Sequence, residues 1–466
     1  MNRRHPLWEM LPPWRMAGQK PTAGVLLALS GGADSRALLH LLSAFADRDG
    51  FPLEIAHVNH GIRGAEAVRD ADFCRTLASE YGLEYHQLNA DIPSLAKQNK
   101  RSLELEAREV RYAYFEKLMR ERSLPILATA HHGDDNLETV LFRLCRGTGL
   151  HGLVGIPPVR EFANGVLVRP MLRFSRREIM GFCNAEGLEF VTDSTNERAD
   201  CSRNQIRLEA IPALEKCSPT PQNNVYRMTQ SLADDLDYLN RQARNLLETQ
   251  PQGCGVSAQA LQEAHPAIRR RVIGMMVPKT LEAVHLTAVE ELLEQERSGA
   301  SVSLPGDLCA CLQNGRLLML PDLRLTSPYQ SFEVKLGDVK LCDGKLTVSV
   351  KNCEKSESVS KVHNAYTSSC IMIKGMMENG AHFRPRRDGD TVKRNGVNRQ
   401  VRRLYREAGV PTAVRDSLPL LCRGDEILWV PFVGYADGAA PNDGKAEALA
   451  ITVRIEKPEK ERAYLR

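Results

Sequence analysis

Short apolar runs alternate with helical patterns in the first third of the chain. Four runs have the length of buried strands, at residues 25–29, 53–58, 83–88 and 126–130. Each run precedes a segment with apolar residues at helical spacing, at residues 35–42, 66–81, 102–121 and 134–145. This alternation predicts βαβ units and a parallel sheet. Ligands of such sheets bind beyond the carboxyl ends of the strands, so the residues that follow each strand are the first candidates for chemistry.

A polar, proline-rich stretch at residues 218–224 is predicted to be a domain linker. After it, apolar residues recur at steps of three and four and predict a long amphipathic helix: Val225, Met228, Leu232, Leu236, Leu239, Ala243 and Leu246. Further helical patterns extend to about residue 296.

Asn314-Gly315, between apolar runs at residues 308–312 and 316–320, predicts a β-hairpin. Beyond Pro321 the pattern becomes strand-like, at residues 332–336, 345–350 and 371–373, with a polar loop predicted over 353–361. We therefore expect an α/β domain with a Rossmann-like parallel sheet over 1–217, a helical domain over 225–322 and a mixed α+β domain over 330–466.

Composition excludes several classes of protein. Hydrophobic residues make up 42% and charged residues 26%, which is ordinary for a folded chain. No apolar run approaches the roughly 20 residues of a membrane span, and Pro6 and Glu9 interrupt any signal-peptide pattern. Twelve cysteines occur without a C-x-x-C motif, which argues against a zinc ribbon or a redox dithiol. We expect free thiols and a cytoplasmic location.

A glycine-rich loop follows the first predicted strand, with the sequence Ser30, Gly31, Gly32, Ala33, Asp34 and Ser35. Glycines let the backbone approach an anion closely, and the helix N-terminus and hydroxyls can donate to phosphate oxygens. The lysine of a Walker A loop is absent, so the loop suits pyrophosphate held by backbone and hydroxyl groups. An ordinary strand–helix turn is the competing interpretation.

Polar residues also follow the second and fourth strands. His57, Asn59, His60 and Arg63 leave the second strand, where adenine or ribose could be bound, although locally satisfied loop residues would look the same. After the fourth strand come His131, His132, Asp134, Asp135 and Glu138. The carboxylates share a helix face and could hold Mg²⁺ or an ammonium group, or simply cap the helix. A zinc site is disfavoured because H-E-x-x-H spacing is absent.

Two further patterns have competing interpretations. Arg108 and Arg111 are neighbours on a predicted helix and could reach a triphosphate or RNA, or form a solvated ion-pair face. Residues 147–152 match G-x-G-x-x-G, but they follow a helix rather than a strand, so a dinucleotide site lacks its structural context.

The S-G-G-x-D-S loop resembles the PP-loop of the N-type ATP pyrophosphatases, which cleave ATP between the α- and β-phosphates. Within that class the chain resembles the tRNA(Ile)-lysidine synthetase family, strongly over residues 22–215 and again over 383–434. The blocks that carry the resemblance lie at residues 30–35, 57–64, 106–112, 130–139, 146–153, 169–172, 175–176, 193–196 and 203–207. Asn136 and Cys201 depart from the family pattern, where Gln and an aromatic residue are usual.

The resemblance implies ATP-dependent ligation of lysine to C2 of the wobble cytidine in the CAU anticodon of tRNA(Ile), through an adenylated intermediate. It implies ATP and Mg²⁺ as cofactors. Residues 30–35, His57, Asn59, His60, Arg63 and His131 would bind ATP, Asp34 and Asp135 would hold Mg²⁺, and Arg111 would neutralise the leaving phosphates. Asp135 or Glu138 would bind the lysine ammonium and take its proton. Another PP-loop enzyme such as a tRNA thiolase, or a silent tRNA-binding protein, are the alternatives.

The formal charge of +4 averages over an uneven distribution. Residues 384–415 contain ten Arg or Lys and three Asp or Glu, a local net charge of +7. The sequence predicts a helix over about 399–408 with one basic stripe, which no acidic residues neutralise. The stripe consists of Arg399, Arg402, Arg403 and Arg406. With Arg203 and Arg207, these arginines are predicted to contact RNA.

Overall fold

A computed structural model describes residues 5–20, 22–62, 64–191, 205–250, 255–295, 298–353, 366–374, 380–440 and 448–456. The described chain divides into two compact units, the first ending at Asp237 and the second beginning at Tyr238. The three domain ranges expected from the sequence stay a prediction.

The first unit is built on one sheet with the strand order β3-β2-β1-β4-β6-β5. Strands β3, β2, β1, β4 and β6 run parallel to one another. Strand β5 pairs antiparallel with β6 at the edge of the sheet. The strands are β1 Val25–Ala28, β2 Leu53–Asn59, β3 Glu84–Asn89, β4 Ile126–Ala128, β5 Val159–Phe162 and β6 Gly165–Val168. The α/β class with a Rossmann-like parallel sheet is therefore confirmed.

Helices cover both faces of this sheet, and two apolar clusters form its core. One cluster centres on Leu27, Leu38 and Phe182, and the other on Leu26, Phe115 and Leu127. The helices are α1 Pro13–Met16, α2 Ala33–Asp49, α3 Ala65–Glu80, α4 Ile92–Asn99, α5 Leu103–Glu121, α6 Gly133–Cys145, α7 Leu150–Leu153, α8 Arg176–Ala185, α9 Ile211–Cys217 and α10 Pro221–Glu248. A 3₁₀ turn at Pro6–Glu9 and a π-helical turn at Ile206–Ala210 complete the unit.

Helix α10 corrects the linker predicted at residues 218–224. The helix begins at Pro221, so only the first three residues of that stretch connect two helices. Proline is favoured in the first turn of a helix because its missing N–H would have no partner there. The proline and amide residues mark a helix start rather than a break. The long amphipathic helix itself is confirmed.

The first part of the second unit packs helices against a small antiparallel sheet of order β7-β10-β9-β8. Its elements are β7 Val256–Ser257, α11 Ala258–Glu263, α12 Pro266–Met275, α13 Ala283–Glu294, β8 Ser301–Leu304, β9 Leu308–Gln313 and β10 Arg316–Pro321. The hairpin predicted at Asn314-Gly315 joins β9 to β10. Both turn residues have positive φ, +48° and +70°, as a tight two-residue hairpin requires.

The rest of the second unit is mostly antiparallel sheet around a core that includes Trp429, Tyr405 and Phe383. The sheets have the orders β11-β15-β18-β19-β20, β12-β13-β21-β14 and β16-β17. The strands are β11 Phe332–Glu333, β12 Gly337–Leu341, β13 Leu346–Cys353, β14 Thr367–Ile373, β15 Ala381–Arg384, β16 Thr391–Arg394, β17 Val397–Gln400, β18 Leu420–Arg423, β19 Glu426–Val430, β20 Gly434–Tyr435 and β21 Ala448–Ile455. Two short helices, α14 Val401–Glu407 and α15 Thr412–Arg415, connect β17 to β18. Most of the predicted polar loop over 353–361 lies outside the described residues.

The helix predicted over 399–408 is shorter than expected. Arg399 belongs to strand β17, and α14 begins only at Val401. The apolar face is as predicted, because Val401, Leu404 and Tyr405 are buried.

The cysteines of the described residues form no disulfide. None of the helices in the described ranges is long and apolar enough to cross a membrane.

Candidate active site

Side chains from the carboxyl ends of three neighbouring strands line a cavity of about 530 Å³. The ends of β2, β1 and β4 lie side by side in the sheet, which brings segments distant in sequence together. The predicted site residues that line the cavity are Ser30, Asp34, Ser35, His57, Asn59, His60, Arg111, His131 and Asp135.

The glycine loop between β1 and α2 is tight at Gly31. This residue has φ +86°, in the left-handed region that favours glycine. A Cβ atom there would lie 3.2 Å from Sγ of Cys74 and 3.5 Å from Phe73. The Gly31 carbonyl also accepts a hydrogen bond from the Val191 N–H at 3.0 Å. The loop is therefore fixed from two sides.

Ser35 closes the loop from inside. Its hydroxyl donates to the Gly32 carbonyl at 3.0 Å, accepts from the Ser30 N–H at 3.2 Å and lies 3.0 Å from the Ser30 hydroxyl. The first intrahelical bond of α2 runs from Arg36 N–H to the Gly32 carbonyl, so the N–H groups before Arg36 open the helix. Such an opening binds anions. The Ala33 side chain is buried, so its backbone N–H is the group suited to a ligand contact.

The buried imidazole of His132 lies between three carboxylates. Its Nε2 is 3.7 Å from Asp34 and 3.5 Å from Asp135, and its Nδ1 is 3.5 Å from Asp134. Burial alone would lower the pKa of His132, but these carboxylates outweigh burial and raise it. Asp34 and Asp135, which follow different strands, therefore converge on one side chain.

Asp34 and Asp134 are both bound by the start of α8. Arg176 Nη1 donates to Asp34 Oδ2 at 2.9 Å, and Arg176 N–H donates to Asp134 Oδ2 at 2.7 Å. Gln222 donates to the other oxygen of Asp134 at 2.9 Å. Burial opposes ionisation, but these partners and His132 outweigh it and lower the pKa of Asp134 to about 2. Asp134 thus joins α6 to α8 and α10, while Oδ1 of Asp34 is buried and has no hydrogen-bond partner among the described residues.

Asp135 and Glu138 have different partners. Asp135 Oδ2 accepts from the His132 N–H at 3.0 Å, which closes the first turn of α6. Glu138 is 6% exposed and accepts two hydrogen bonds from Arg207, at 2.7 Å and 3.1 Å. Arg207 also lies 4.0 Å from Asp135. Arg207, predicted to contact RNA, is therefore part of the site, and its RNA contact stays a prediction.

The residues of β2 contribute one unpaired nitrogen. His57 is buried and donates from Nδ1 to the Leu29 carbonyl at 2.9 Å, which leaves Nε2 as an acceptor without a partner. Burial lowers the pKa of His57, so the ring is neutral at pH 7. Asn59 Oδ1 accepts from the Gly61 N–H at 2.9 Å and shapes the turn beside it. His60 lines the cavity, whereas Arg63 and Arg203 lie outside the described residues.

At the β4 end of the cavity, His131 lies near two arginines. Burial, Arg169 and Arg111 lower its pKa to about 4 against the opposing effect of Asp135, so the ring is neutral at pH 7. Its Nδ1 lies 2.9 Å from the Thr129 hydroxyl. Burial also lowers the pKa of Arg111, which lies over the ring of Tyr112 with 5.7 Å between Cζ and the ring centroid.

The sequence analysis considered His132 only for a disfavoured zinc site and assigned no role to Arg176 or Gln222, although these three residues organise the carboxylates. Arg176 follows Ser175, whose hydroxyl and Glu178 form a capping box at the start of α8. That capping pattern is visible in the sequence, but the contact between the Arg176 side chain and Asp34 depends on tertiary packing.

Asn136 has a structural role. Its Oδ1 accepts from the Ile156 N–H at 2.7 Å, and its Nδ2 donates to the Thr229 hydroxyl at 3.4 Å. The Asn136 side chain, which departs from the family pattern, therefore stabilises the loop that follows α7. Among the described residues, the side chains close enough together to share a metal ion are Glu54, Glu84 and His86, where Arg122 pairs with both glutamates.

The basic stripe in the second unit is partly neutralised. Glu407 accepts from Arg399 at 2.6 Å and from Arg403 at 3.0 Å, which corrects the expectation that these arginines are unmatched by acids. Sequence spacing missed this because Arg399 reaches Glu407 from a strand. Arg402 and Arg406 are exposed, and neither pairs with a carboxylate among the described residues.

Comparisons with known proteins agree with the geometry. Residues 12–214 match the PP-loop domain, and residues 381–452 match the TilS substrate C-terminal domain. The chain is 30% identical to the tRNA(Ile)-lysidine synthase of Porphyromonas gingivalis, over 88% of this chain and 89% of the relative. It is 29% identical to that of Geobacillus kaustophilus, over 92% and 95%. Identity to that of Bacteroides thetaiotaomicron is 39%, over 51% of this chain and 54% of the relative.

Proposed function

This chain belongs to the tRNA(Ile)-lysidine synthase family, and we propose that the cavity at β2, β1 and β4 joins lysine to C2 of the wobble cytidine of tRNA(Ile). In this reaction the C2 oxygen of the cytidine attacks the α-phosphorus of ATP, and pyrophosphate leaves. The lysine ε-amine then attacks C2, loses a proton, and displaces AMP. The products are lysidine at a CAU anticodon, AMP and pyrophosphate.

The convergence of Asp34 and Asp135 on His132, beside an anion-binding loop, is the observation that carries this proposal. The chemistry needs groups that hold a triphosphate and groups that hold a cationic amine within one cavity. The glycine loop supplies the first, and Asp135 at the start of α6 supplies the second, with Glu138 one turn further along the helix.

ATP would lie along the strand ends, with its base near β2 and its phosphates on the loop after β1. His57 supports this orientation because its neutral Nε2 is a buried acceptor without a partner, suited to an N–H of a base. Ser30, Ser35 and the open N–H groups of α2 would donate to the pyrophosphate oxygens. Arg111 would offset the charge that builds on the leaving phosphates.

Asp34 and Asp135 would hold Mg²⁺ together with the phosphates. Asp34 Oδ1 is a buried carboxylate oxygen without a partner, and Asp135 approaches the same imidazole from the neighbouring strand end. In nucleotide-binding proteins, Mg²⁺ is usually bound by one or two carboxylates of the protein and by phosphate oxygens of the substrate. The ion, when bound, would offset phosphate charge during the attack on the α-phosphorus.

Glu138 and Asp135 would receive the lysine ammonium. Glu138 already binds a cation in a buried position, the guanidinium of Arg207. The unperturbed pKa of lysine is about 10.4, so the bound amine must lose a proton before it attacks. A carboxylate within hydrogen-bond distance is suited to take that proton.

A tRNA thiolase is a weaker explanation of the same cavity. Such chemistry needs a reactive thiol near the loop. Burial raises the pKa of Cys74, beside Gly31, to about 12 and that of Cys183, beside Ala33, to about 11. Neither thiol is suited to act as a nucleophile.

An omission experiment tests the proposed function. Release of AMP from ATP should require both lysine and tRNA(Ile), because lysine displaces AMP in the second step, and Asp34→Ala should abolish this release. AMP release that is unaffected by lysine, or normal turnover in Asp34→Ala, would reject the assignment.

A further inference from the structure

Four arginines surround one tyrosine at the far end of the cavity. The guanidinium carbons of Arg108, Arg160 and Arg111 lie 5.0, 5.4 and 5.7 Å from the centroid of the Tyr112 ring. Arg169 also acts electrostatically on Tyr112, on Arg108 and on Arg160. Burial would raise the pKa of the tyrosine, but the four arginines outweigh it and lower it. We call Arg108, Arg111, Arg160 and Arg169 the arginine cluster.

Arg169 is the buried member of the cluster. It is 5% exposed, and its Nη1 donates to the Pro157 carbonyl at 2.6 Å, while its buried Nε has no partner within the described part of the chain. Burial, with the neighbouring arginines, lowers its pKa to about 10. Holding a guanidinium there costs free energy that an anion would offset.

The cluster lacks its own counterions. Within the described chain, no carboxylate lies within ion-pair distance of Arg108, Arg160 or Arg169, and Glu104 acts on Arg111 only over a longer range. Exposed arginines are commonly left solvated, but a partly buried group of like charges is unfavourable without a partner. The arrangement indicates a site for an anion.

The strand order gives the position of this site. Arg169 directly follows β6, the strand that pairs with β4 in the sheet. Arg160 lies on β5, which pairs with the other edge of β6. The groups suited to ATP lie at the ends of β2 and β1. The cluster is therefore on the opposite side of the β4 carboxylates from the nucleoside end of ATP.

We propose that three members of the arginine cluster, Arg108, Arg160 and Arg169, bind the phosphodiester backbone of the RNA next to the target cytidine. The inference rests on the proposed function, since it assigns the second substrate to the side that ATP leaves open. The cytidine would enter at β6 and β5, with its phosphate on Arg108, Arg160 and Arg169, and would place its C2 oxygen before the loop. Three guanidiniums around one site suit a phosphate, which offers several acceptor oxygens in different directions.

The double variant Arg108→Gln, Arg160→Gln tests this assignment in the full chain, with Arg120→Gln on the same helix as a matched control. Arg120 lies twelve residues from Arg108, about 18 Å along α5. Binding of an RNA hairpin with the tRNA(Ile) anticodon loop should weaken at least tenfold in the double variant, without ATP or lysine present. The slope of log affinity against log salt should fall by about one, as the loss of one phosphate contact predicts. The control should match the wild type.

Kinetic constants separate the possible anions. The KM for tRNA should rise, while those for ATP and lysine should stay within twofold. A rise confined to ATP would assign the cluster to the triphosphate, and a rise confined to lysine would assign it to the α-carboxylate; either result, or unchanged hairpin binding, would overturn the proposal. Arg108→Lys, Arg160→Lys should restore part of the affinity.

Two readouts keep the test interpretable. The melting temperature of the double variant should stay close to that of the wild type, because the removal of like charges offsets the lost contacts of both guanidiniums with the Tyr112 ring. Hairpin binding needs no turnover, so it reports on the cluster even if the wild type fails to incorporate lysine, and that failure would count against the proposed function alone.

Discussion

Arg207 Nη2 donates to Glu138 Oε2 at 2.7 Å, and Arg207 Nε donates to the same oxygen at 3.1 Å. Glu138 is 6% exposed, so a guanidinium already occupies a buried carboxylate that the reaction would use for an ammonium group. Lysine binding would then require Arg207 to shift or to share Glu138 with the substrate.

Glu138→Gln should raise the KM for lysine about ten- to a hundredfold. A hydrogen bond to a charged group contributes about 1.5–3 kcal/mol, and 1.4 kcal/mol corresponds to a factor of ten. The KM for ATP should change less than twofold, because the groups assigned to the base and the pyrophosphate lie at the ends of β2 and β1. Steady-state kinetics with lysine as the varied substrate measures this, with exposed Glu189→Gln as control. An unchanged KM for lysine would exclude Glu138 from the amine site.

Gly31→Ala should raise the KM for ATP about tenfold. A residue with a side chain pays about 1 kcal/mol to adopt the left-handed backbone conformation of Gly31. Its Cβ would also lie 3.2 Å from Cys74 Sγ, so the glycine loop must move. Gly50→Ala is the matched control, since Gly50 has φ +76° at the end of the same helix and open space around it. It should lose similar stability without a change in KM. Equal effects of both variants on KM would contradict the role of the loop.

Asp390→Asn should destabilise the protein by about 3 kcal/mol near neutral pH, because it breaks a buried pair. Arg384 donates to both oxygens of Asp390 at 2.8 Å, and Arg387 N–H donates at 2.7 Å. Burial opposes ionisation of Asp390, but these partners outweigh it and lower its pKa from the ordinary value of 3.8.

The sign of the pH dependence follows from that lowered pKa. The stabilisation is complete above pH 3.8 and is lost as the pH falls through the lower pKa of the folded state. The stability gap between wild type and Asp390→Asn should therefore close as the pH falls below about 4. Chemical denaturation at several pH values checks this, with the exposed Asp388→Asn as control. A gap that widens in acid would contradict the pairing.

Arg402→Glu with Arg406→Glu should weaken tRNA binding and lower its salt slope by about two, if each arginine contacts one phosphate. Both side chains are exposed and lack a carboxylate partner in the described ranges. Arg423→Glu on β18 is the control, because Arg423 is already paired with Glu426 at 2.9 Å. Filter binding at several salt concentrations measures the slopes. Equal slopes in both variants would locate the RNA contacts elsewhere.

The sequence predicts the sheet and the strand-end positions well, because burial periodicity and glycine turns are local properties. The alternation of strands and helices indicated which segments would meet at one edge, and Ser30, Asp34, His57 and Asp135 do line one cavity.

Partners that come from distant elements could not be predicted in this way. Arg176 reaches Asp34 from 142 residues away, and Arg207 reaches Glu138 from 69 residues away. Spacing along a helix also gave a wrong account of Arg399, which lies on a strand and pairs with Glu407. Ion pairing between elements depends on their packing, which periodicity does not describe.

The central claim is tested most directly by locating lysine on the product RNA. The protein would be incubated with ATP, isotopically labelled lysine and tRNA(Ile) bearing a CAU anticodon, and nuclease fragments would be analysed by mass spectrometry. We predict label on the wobble cytidine alone, with one AMP formed per lysine incorporated, and no label on a tRNA changed to UAU. Label on another nucleotide, or AMP formed without lysine transfer to the CAU substrate, would contradict the account.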